Sequence, residues 1–420
     1  MSHIVEDFKA FLETSPTSWH AVQETSNRLA LHDFTPLEEN EKWELEGGKS
    51  YFVARGGALI AFTLPKQTPN KALIIAAHTD SPALKLKPRP EFSKENMTLF
   101  GTEVYGGPLL SSWLNRDLAI AGRVFVTNSR GDIEEKLVFL DDAPLIIPQL
   151  AIHLDRDVNE KGVILNKQQH LSPLVTLEKG DLESLLRRHI SFHTLLSFDL
   201  LLVPIESSRF VGAHGELLAS YRIDNLTSVH AATVALCRSC TSPTEALKIA
   251  VFWDHEEIGS GSSEGALSPF LTDLLVRIGH ALKLSNEELF MLKSHSFCIS
   301  ADMAHALNPN YVEKHDPQHM PLMGKGIVLK YNANHKYATN GSTAATIIDL
   351  CQKLNLSYQP FAARSDIPSG STVGPFIEQK LGIKTADIGV AQLSMHSARE
   401  IIAWQDYVDL TELLTHFLGN

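Results

Sequence analysis

Continuous apolar runs that end in polar turns are the feature that most constrains how this chain can fold. The runs are KALIIAAHTD (71–80), LLSFDLLLVPI (195–205), ALKIAVFWD (246–254), SFCISADM (296–303) and TADIGVAQL (385–393). Such runs are typical of strands that are buried on both faces, as in a parallel sheet covered by helices. Helical patterns follow Asp224 and Asn340, and Asn340 is placed to cap its helix. The alternation predicts an α/β domain with a mostly parallel sheet.

The middle of the chain has a different pattern. From about residue 88 to about residue 215, short apolar stretches are separated by Pro, Gly and Asp turns, as in DDAPLIIPQL. This punctuation predicts antiparallel β structure inserted into the α/β domain. At 420 residues the chain also exceeds the size at which one hydrophobic core stops growing, which favours two domains. We therefore expect 1–87 and 216–420 to form one domain and 88–215 to form the inserted, β-rich one.

Composition and charge exclude several classes of protein. Hydrophobic residues make up 44% of the chain and charged residues 20%, as in ordinary globular proteins. The net charge of -12 argues against nucleic-acid or membrane binding through an overall field. The first residues lack the pattern of a secretory signal, and no apolar window approaches the ~20 residues of a membrane span, so we expect a cytoplasmic location. Cys237 and Cys240 form a CxxC without a second pair, and we interpret them as ordinary thiols.

Acidic and histidine side chains gather where the predicted strands end. A buried ionised group costs several kcal/mol unless it is paired or bound to a metal ion, so such a cluster needs positive charge. The functional crevice of an open α/β sheet lies at the carboxyl ends of its strands. Each motif alone also fits a surface pair, a helix cap or a solvated loop, but their joint placement favours a metal site. The residues concerned are His78, Asp80, Asp224, Glu256, Glu257, Asp302 and His396.

The number of these side chains favours two metal ions. Two histidines with three carboxylates are too many ligands for one tetrahedral zinc that keeps an open position. They suit two ions about 3.5–4 Å apart that share a bridging carboxylate. Glu256 and Glu257 are neighbours, so one can bind metal and the other can handle protons only if the chain has turned into a loop. The roles of Asp254 and His255 stay open.

Long motifs in one order carry a resemblance to a known family. They are HTDSP (78–82), DNL (224–226), DHEEIGS (254–260), ADMAHALNPNY (301–311) and MHSARE (395–400), joined by YGGPLLSSWLNRDL (105–118), AIHLDRDVNE (151–160) and GSTVGP (370–375). Together they resemble the aspartyl aminopeptidase and aminopeptidase I family of dinuclear zinc metallopeptidases. The similarity runs over nearly the whole chain.

The resemblance implies a ligand set for two zinc ions per subunit. His78 and Asp302 would hold one ion, Glu257 and His396 would hold the other, and Asp224 would bridge them. Zinc, cobalt and manganese stay open as the native metal, with Co²⁺ or Mn²⁺ at one of the two sites as the alternative to zinc.

The resemblance also implies roles for four further side chains. Asp80 would orient His78, and Glu256 would be the general base. His153 resembles a histidine that reaches a neighbouring subunit's active site, and Lys330 resembles a lysine at the bottom of the pocket for the first substrate side chain. Without the resemblance, His153 would be interpreted as a structural histidine in a turn and Lys330 as an exposed strand residue.

The family further implies an α/β zinc-peptidase domain with an inserted, β-rich dimerisation domain, and dimers that assemble into a dodecamer. The implied activity is removal of the N-terminal residue from peptides with a free N-terminus, with acidic residues preferred over neutral ones. Three alternatives stay open: a dinuclear deacylase or carboxypeptidase, a scaffold without catalysis, and nucleotide binding through GSGSSEG (259–265). The DHEE segment before that glycine-rich turn would repel phosphate.

Overall fold

The computed structural model describes residues 3–242 and 244–419. The strands are β1 (Phe34–Pro36), β2 (Ser50–Arg55), β3 (Ala58–Thr63), β4 (Lys71–His78), β5 (Ala83–Lys94), β6 (Met97–Tyr105), β7 (Leu118–Thr127), β8 (Ile133–Leu145), β9 (Leu174–Thr176), β10 (Thr194–Pro204), β11 (Arg209–Val211), β12 (Leu217–Ser220), β13 (Ala246–Trp253), β14 (Phe297–Ala301), β15 (Ala304–His305), β16 (Ile327–Lys330), β17 (Tyr358–Phe361), β18 (Lys384–Gly389), β19 (Ala391–Leu393) and β20 (Glu400–Ala403). The helices are α1 (His3–Thr14), α2 (Ser18–Leu31), α3 (Val158–Lys161), α4 (Leu182–Leu186), α5 (Ile223–Ser239), α6 (Phe270–Ala281), α7 (Asn286–His295), α8 (Gly341–Lys353), α9 (Gly374–Leu381) and α10 (Trp404–Gly419).

The largest sheet has the strand order β1-β2-β3-β13-β4-β14-β18-β16-β17. Its central strands β13, β4, β14 and β18 are parallel to one another. Antiparallel pairs flank them, where β3 meets β13 and where β16 meets β18. The predicted α/β domain is confirmed, with a sheet that is parallel at its centre and mixed at its edges.

Strand β4 shows why the apolar runs are continuous. Leu73, Ile75 and Ala77 pack in one core cluster with helices α1, α2, α5, α8 and α10. The alternate residues, among them Ile74 and Ala76, pack in a second cluster with helices α6 and α9. Successive strand residues point to opposite faces, so a strand between two helix layers needs apolar residues at every position.

A separate six-stranded sheet has the order β8-β7-β10-β5-β6-β9, and its pairings are antiparallel. Its strands come from residues 83–204. The prediction that 195–205 is buried on both faces is wrong for the first half of β10, where Leu196 is 50% exposed. An antiparallel sheet can leave one face to solvent, and this one does so there. The predicted boundaries at 87/88 and 215/216, and the dimerisation role, stay predictions.

A third sheet, in the order β11-β12-β20-β19-β15, completes the fold. The run predicted as a single strand at 385–393 is divided between two sheets. Its first part, β18, pairs with β14 in the large sheet, and its second part, β19, pairs with β20. The division carries the chain from the core of the protein to the turn that holds His396.

Two features of the helices follow the sequence. The side chain of Asn340 accepts hydrogen bonds from the backbone N–H groups of Ser342 and Thr343, which confirms it as the cap of α8. Cys237 and Cys240, at the end of α5, are free, and the Cys240 thiol donates to the Cys237 carbonyl. None of the helices in the described parts of the chain is long and apolar enough to cross a membrane.

Candidate metal centre

Two parallel strands bring the first part of the cluster together. The last residue of β13, Trp253, lies opposite His78, the last residue of β4. Beyond Trp253 the chain leaves the sheet through His255, which has a φ of 62°, and enters a 3-10 turn that begins at Glu256. In a strand, the side chains of Glu256 and Glu257 would point to opposite faces of the sheet. The turn removes this restriction, as the different roles predicted for the two residues require.

The end of β14 adds Asp302. Its backbone N–H donates a 2.9 Å hydrogen bond to the carbonyl of Ile388 in β18. The next residue of β18, Gly389, lies so close to the Asp302 carbonyl that a Cβ atom at that position would clash with it. A glycine is therefore required for β18 to run alongside the end of β14.

Asp224 and His396 come from the third sheet and its connections. Asp224 lies in the first turn of α5, where its φ of -84° and ψ of 107° are not helical. His396 lies in the connection between β19 and β20 and has a φ of 64°. Both side chains point toward the cluster at the strand ends, so the predicted meeting of these segments occurs.

One group of donor atoms surrounds the ring of His78. Its Nε2 lies 3.4 Å from Oδ1 of Asp224 and 3.7 Å from Oδ1 of Asp302. The other ring nitrogen, Nδ1, lies 3.1 Å from the carbonyl oxygen of Asp80 and 3.4 Å from its Oδ1. A proton on Nδ1 that is donated to Asp80 leaves Nε2 with a free lone pair, which is the form that binds metal.

A second group uses the other oxygen of Asp224. His396 Nε2 lies 3.4 Å from Asp224 Oδ2 and 3.3 Å from Glu257 Oε1. Its Nδ1 lies 3.2 Å from the carbonyl of Gly107, which can accept its proton. The two groups therefore share one carboxylate, and each histidine is oriented through the ring nitrogen that faces away from the shared side chain.

The residues of both groups fit bound metal ions. Two donor atoms that bind one tetrahedral zinc at about 2.0–2.2 Å lie about 3.3–3.6 Å from each other. The distances from the two Nε2 atoms to the carboxylate oxygens are close to this range, at 3.3, 3.4, 3.4 and 3.7 Å. Asp224 Oδ1 and Glu257 Oε1 are buried, and within the described residues neither takes part in a hydrogen bond. Buried carboxylate oxygens without partners are costly unless a cation neutralises them.

The charge balance of the cluster favours added positive charge. Burial disfavours protonation of His78, yet the carboxylates around the ring raise its pKa well above the usual value. Burial likewise disfavours protonation of His396, but the carboxylates of Asp224 and Glu257 raise its pKa to about 12. Burial raises the pKa of Glu257 to about 7, and burial with nearby carboxylates raises the pKa of Glu256 well above its usual value. In the protein without metal, protons compensate the charge that cations would neutralise.

Asp80 connects the cluster to its surroundings. Its Oδ1 accepts a 3.1 Å hydrogen bond from the backbone N–H of Glu256, and its Oδ2 accepts one of 3.1 Å from that of Glu257. The hydroxyl of Tyr105 donates a further bond of 2.7 Å to Oδ2. Asp80 therefore fixes both His78 and the turn that carries the two glutamates.

Asp254 and His255 lie beside this centre. Asp254 is buried, accepts hydrogen bonds from the Ser18 hydroxyl and the His255 backbone N–H, and has a pKa that burial raises to about 7. His255 Nδ1 lies 2.7 Å from the Ser262 hydroxyl. These contacts hold the start of the turn before Glu256, so they explain the conformation of both residues without a metal.

The two remaining predicted site residues lie in different surroundings. Lys330 is 2% exposed, and its Nζ lies 3.4 Å from Asp302 Oδ2 and 5.5 Å from the centre of the Tyr337 ring. Lys330 is therefore a buried residue next to the cluster. The alternative interpretation, an exposed lysine on a strand, is wrong. His153 lies in an exposed turn between β8 and α3, and no hydrogen bond or ion pair among the described residues joins it to the cluster.

Sequence reasoning missed two side chains of the centre. Tyr105 holds Asp80, and Glu400 accepts hydrogen bonds from the backbone N–H groups of Asp224 and His396. Both lie within motifs that carry the family resemblance, YGGPLLSSWLNRDL and MHSARE. The spacing of residues within a motif does not show which groups elsewhere in the chain its side chains will bind by hydrogen bonds.

Comparisons with known proteins agree with this geometry. Residues 11–418 match the family described as aminopeptidase I zinc metalloprotease (M18). A probable M18 family aminopeptidase 2 of Streptomyces avermitilis is 42% identical over 98% of this chain and 97% of its own. A probable aspartyl aminopeptidase of Ricinus communis is 36% identical over 96% of this chain and 92% of its own.

A solved structure agrees as well. The mApe1 dodecamer of S. cerevisiae is 26% identical to this chain and superposes on it with a TM-score of 0.85, covering 99% of this chain and 96% of that one. The match of the family over residues 11–418 and the 42% identity to a curated relative establish the assignment. This chain belongs to the M18 family of zinc metalloaminopeptidases, which are hydrolases.

Proposed function

We propose that this enzyme removes single N-terminal residues, with a preference for Asp and Glu, by using two zinc ions held by His78, Asp302, Asp224, Glu257 and His396. The observation that carries the proposal is the pair of donor groups, His78 with Asp302 and Glu257 with His396, which share Asp224. A carboxylate that faces both groups is the bridging ligand that a dinuclear site needs.

When bound, zinc would polarise the substrate carbonyl and lower the pKa of a water molecule toward neutrality. Glu256 would accept the proton of the attacking water and pass it to the leaving amine. Burial and nearby carboxylates raise the pKa of Glu256 well above its usual value, so this carboxylate holds a proton more tightly than a solvated glutamate does. Asp80 supports this role because it fixes the Glu256 backbone.

The acidic preference is supported by Lys330 and its surroundings. The Lys330 ammonium is buried beside Asp302, and its Nζ lies 5.5 Å from the Tyr337 ring. Tyr337 also lines a cavity of about 390 Å³ that extends to Met395, the neighbour of His396. Lys330 is not among the described residues that line this cavity, so a substrate carboxylate would reach past Tyr337 to meet the buried ammonium, away from bulk water, where a charge pair discriminates most strongly. One relative is described as a probable aspartyl aminopeptidase, which agrees with this preference.

Assembly is the third part of the proposal. The segment around His153 exposes apolar side chains, among them Leu150 at 58%, Ile152 at 45% and Leu154 at 74%. Apolar side chains next to a polar one are typical of a surface that another subunit covers. We therefore infer a homodimer in which His153 reaches the partner's site through the region 88–215, and we infer that such dimers form a dodecamer. The mApe1 relative is itself a dodecamer, which supports this assembly. The cytoplasmic location stays a prediction.

The test compares hydrolysis of peptides that differ only at the N-terminus, with the metal content defined. Metal-free protein should be inactive, and zinc should restore cleavage of Asp and Glu peptides in preference to Leu peptides. N-acetylated Glu peptides should resist hydrolysis. Cleavage of the acetylated peptides, or release of the C-terminal residue, would instead indicate the deacylase or carboxypeptidase. Protein that binds no zinc would contradict the proposal and favour a scaffold.

A further inference from the structure

Glu400 joins two segments of the metal centre through their backbones. It is the first residue of β20, and it is 2% exposed. Its Oε2 accepts a 2.9 Å hydrogen bond from the backbone N–H of Asp224, and its Oε1 accepts one of 2.7 Å from the backbone N–H of His396. One carboxylate thus contacts both the shared aspartate and the histidine of the second donor group.

The backbones that Glu400 holds are not fixed by regular secondary structure. Asp224 has a φ of -84° and a ψ of 107° at the start of α5, outside helical geometry. His396 has a φ of 64°, in the left-handed region that residues other than glycine rarely occupy. Their N–H groups would lack ladder partners, so an acceptor side chain that reaches both can determine where the two ligand-bearing residues lie.

Glu400 itself is held on a rigid support. Strand β20 pairs with β12 on one side and with β19 on the other, and Glu400 lies opposite Ser220 in β12. Strand β12 leads to Asp224, and β19 leads to His396. The strand between them therefore carries the side chain that sets their separation.

We propose that Glu400 is a positioning residue that sets the 3.4 Å spacing between Asp224 Oδ2 and His396 Nε2 for metal binding. The proposal rests on the proposed function of this cluster as a dinuclear metal centre. Carboxylates have two acceptor oxygens, so Glu400 can serve both N–H donors at once. Glutamine has only one acceptor oxygen, and aspartate is one methylene shorter.

The test measures zinc dissociation constants of the metal-free protein and of its variants by competition with a chromophoric chelator. We expect Glu400→Gln and Glu400→Asp to weaken zinc binding about 10- to 100-fold, the range found for side chains that orient metal ligands. The visible absorption spectrum of the Co²⁺-loaded protein should also change, because it reports ligand geometry. Glu400→Asp keeps the charge, so it separates position from electrostatics.

Asp406 provides the matched control. It is also a buried carboxylate that accepts two backbone hydrogen bonds, of 2.6 Å from Gly324 and 2.8 Å from Gly326, and no hydrogen bond or ion pair among the described residues joins it to the centre. Asp406→Asn should lose a similar bond and still keep zinc affinity and the cobalt spectrum at wild-type values. Thermal unfolding of each metal-free variant measures the loss of stability separately.

Several outcomes would overturn the role of Glu400. Wild-type zinc affinity in both Glu400 variants would do so. Wild-type zinc affinity in Glu400→Asp alone would also do so, because the loss in Glu400→Gln would then reflect only the lost charge. Equal weakening in Asp406→Asn would reduce the effect to general destabilisation. These readouts do not depend on turnover. A wild-type chain that binds zinc but cleaves no peptide would therefore contradict the proposed function. The zinc affinities of the variants would still show whether Glu400 positions the ligands.

Discussion

The hydroxyl of Tyr105 donates a 2.7 Å hydrogen bond to Oδ2 of Asp80. Tyr105 ends β6 in the six-stranded sheet, whereas Asp80 follows β4 in the large sheet. Burial and the charge of Asp80 raise the pKa of Tyr105, so its hydroxyl keeps its proton and remains a donor. The six-stranded sheet thus takes part directly in orienting the side chain that fixes His78.

Replacing this tyrosine tests the contact. We expect Tyr105→Phe to lower kcat/KM about tenfold, or about 1.4 kcal/mol, because Asp80 would lose a charge-assisted hydrogen bond but keep those from the Glu256 and Glu257 backbones. Steady-state kinetics with an Asp peptide measure the loss. Tyr311 is 56% exposed, and Tyr311→Phe should match the wild type. Unchanged kinetics in Tyr105→Phe would make the bond dispensable.

Glu256→Gln tests whether Glu256 is the general base, as proposed. Glutamine keeps the size of the side chain but cannot accept the proton, so kcat should fall by about 10²- to 10⁴-fold. Two zinc ions per chain should stay bound, as elemental analysis can measure. The exposed Glu287 in α7 supplies the control substitution Glu287→Gln. Retained activity in Glu256→Gln would remove its assignment as base, and lost zinc would make it a ligand instead.

The proposed preference for acidic N-terminal residues can be tested at Lys330. We expect Lys330→Met to reduce kcat/KM for Asp and Glu peptides about 30-fold more than for a Leu peptide, a difference of about 2 kcal/mol. The ratio matters because Lys330 also pairs with Asp302, whose disturbance should affect every substrate. Lys330→Arg keeps the charge and should retain part of the preference. Equal losses with all three peptides would contradict an acidic pocket.

Complementation between subunits can test His153. His153→Ala and Glu256→Gln proteins should each have low activity. Unfolded, mixed in equal amounts and refolded together, they should recover about a quarter of the wild-type activity, since half of the random dimers are mixed and each has one complete site. Each protein refolded alone provides the baseline. No recovery, with mixed dimers shown by native mass spectrometry, would place His153 outside the partner's site.

The stability of the protein should depend on pH through Asp406. Burial raises the pKa of this carboxyl from 3.8 to about 6. The folded state then binds its proton more tightly than the unfolded chain, so this group lowers the free energy of unfolding by about 3 kcal/mol in total as pH rises from below 3.8 to above 6. In Asp406→Asn this component should be missing. Urea unfolding of the wild type and of Asp406→Asn across that pH interval measures the difference. The same dependence of the free energy of unfolding on pH in both proteins would contradict the prediction.

Much of the fold was accessible from the sequence because burial on two faces leaves a clear pattern. Strands β4 and β13 were predicted within two residues of their ends, since every position between the helix layers is apolar. Strand β10 was misjudged because its apolar residues continue into a half that faces solvent. An apolar run shows where a strand forms but not which sheet it joins.

The candidate site could be predicted only where the residue type itself indicates metal binding or proton transfer. Histidines and carboxylates at strand ends indicated a metal centre, and the structure brings His78, Asp224 and His396 together. Tyr105 and Glu400 act through hydrogen bonds to groups far away in the sequence, and such contacts depend on the assembled fold.

The sharing of Asp224 between two histidines has a consequence for how the protein matures. His78 and His396 are separated by most of the chain, and Asp224 lies between them in sequence. A nascent chain on the ribosome lacks the second histidine until residue 396 has been synthesised, long after the strand that ends at His78 has emerged. With the proposed metal centre, the ability to hydrolyse peptides would therefore arise only late in translation, after residue 396 has been added.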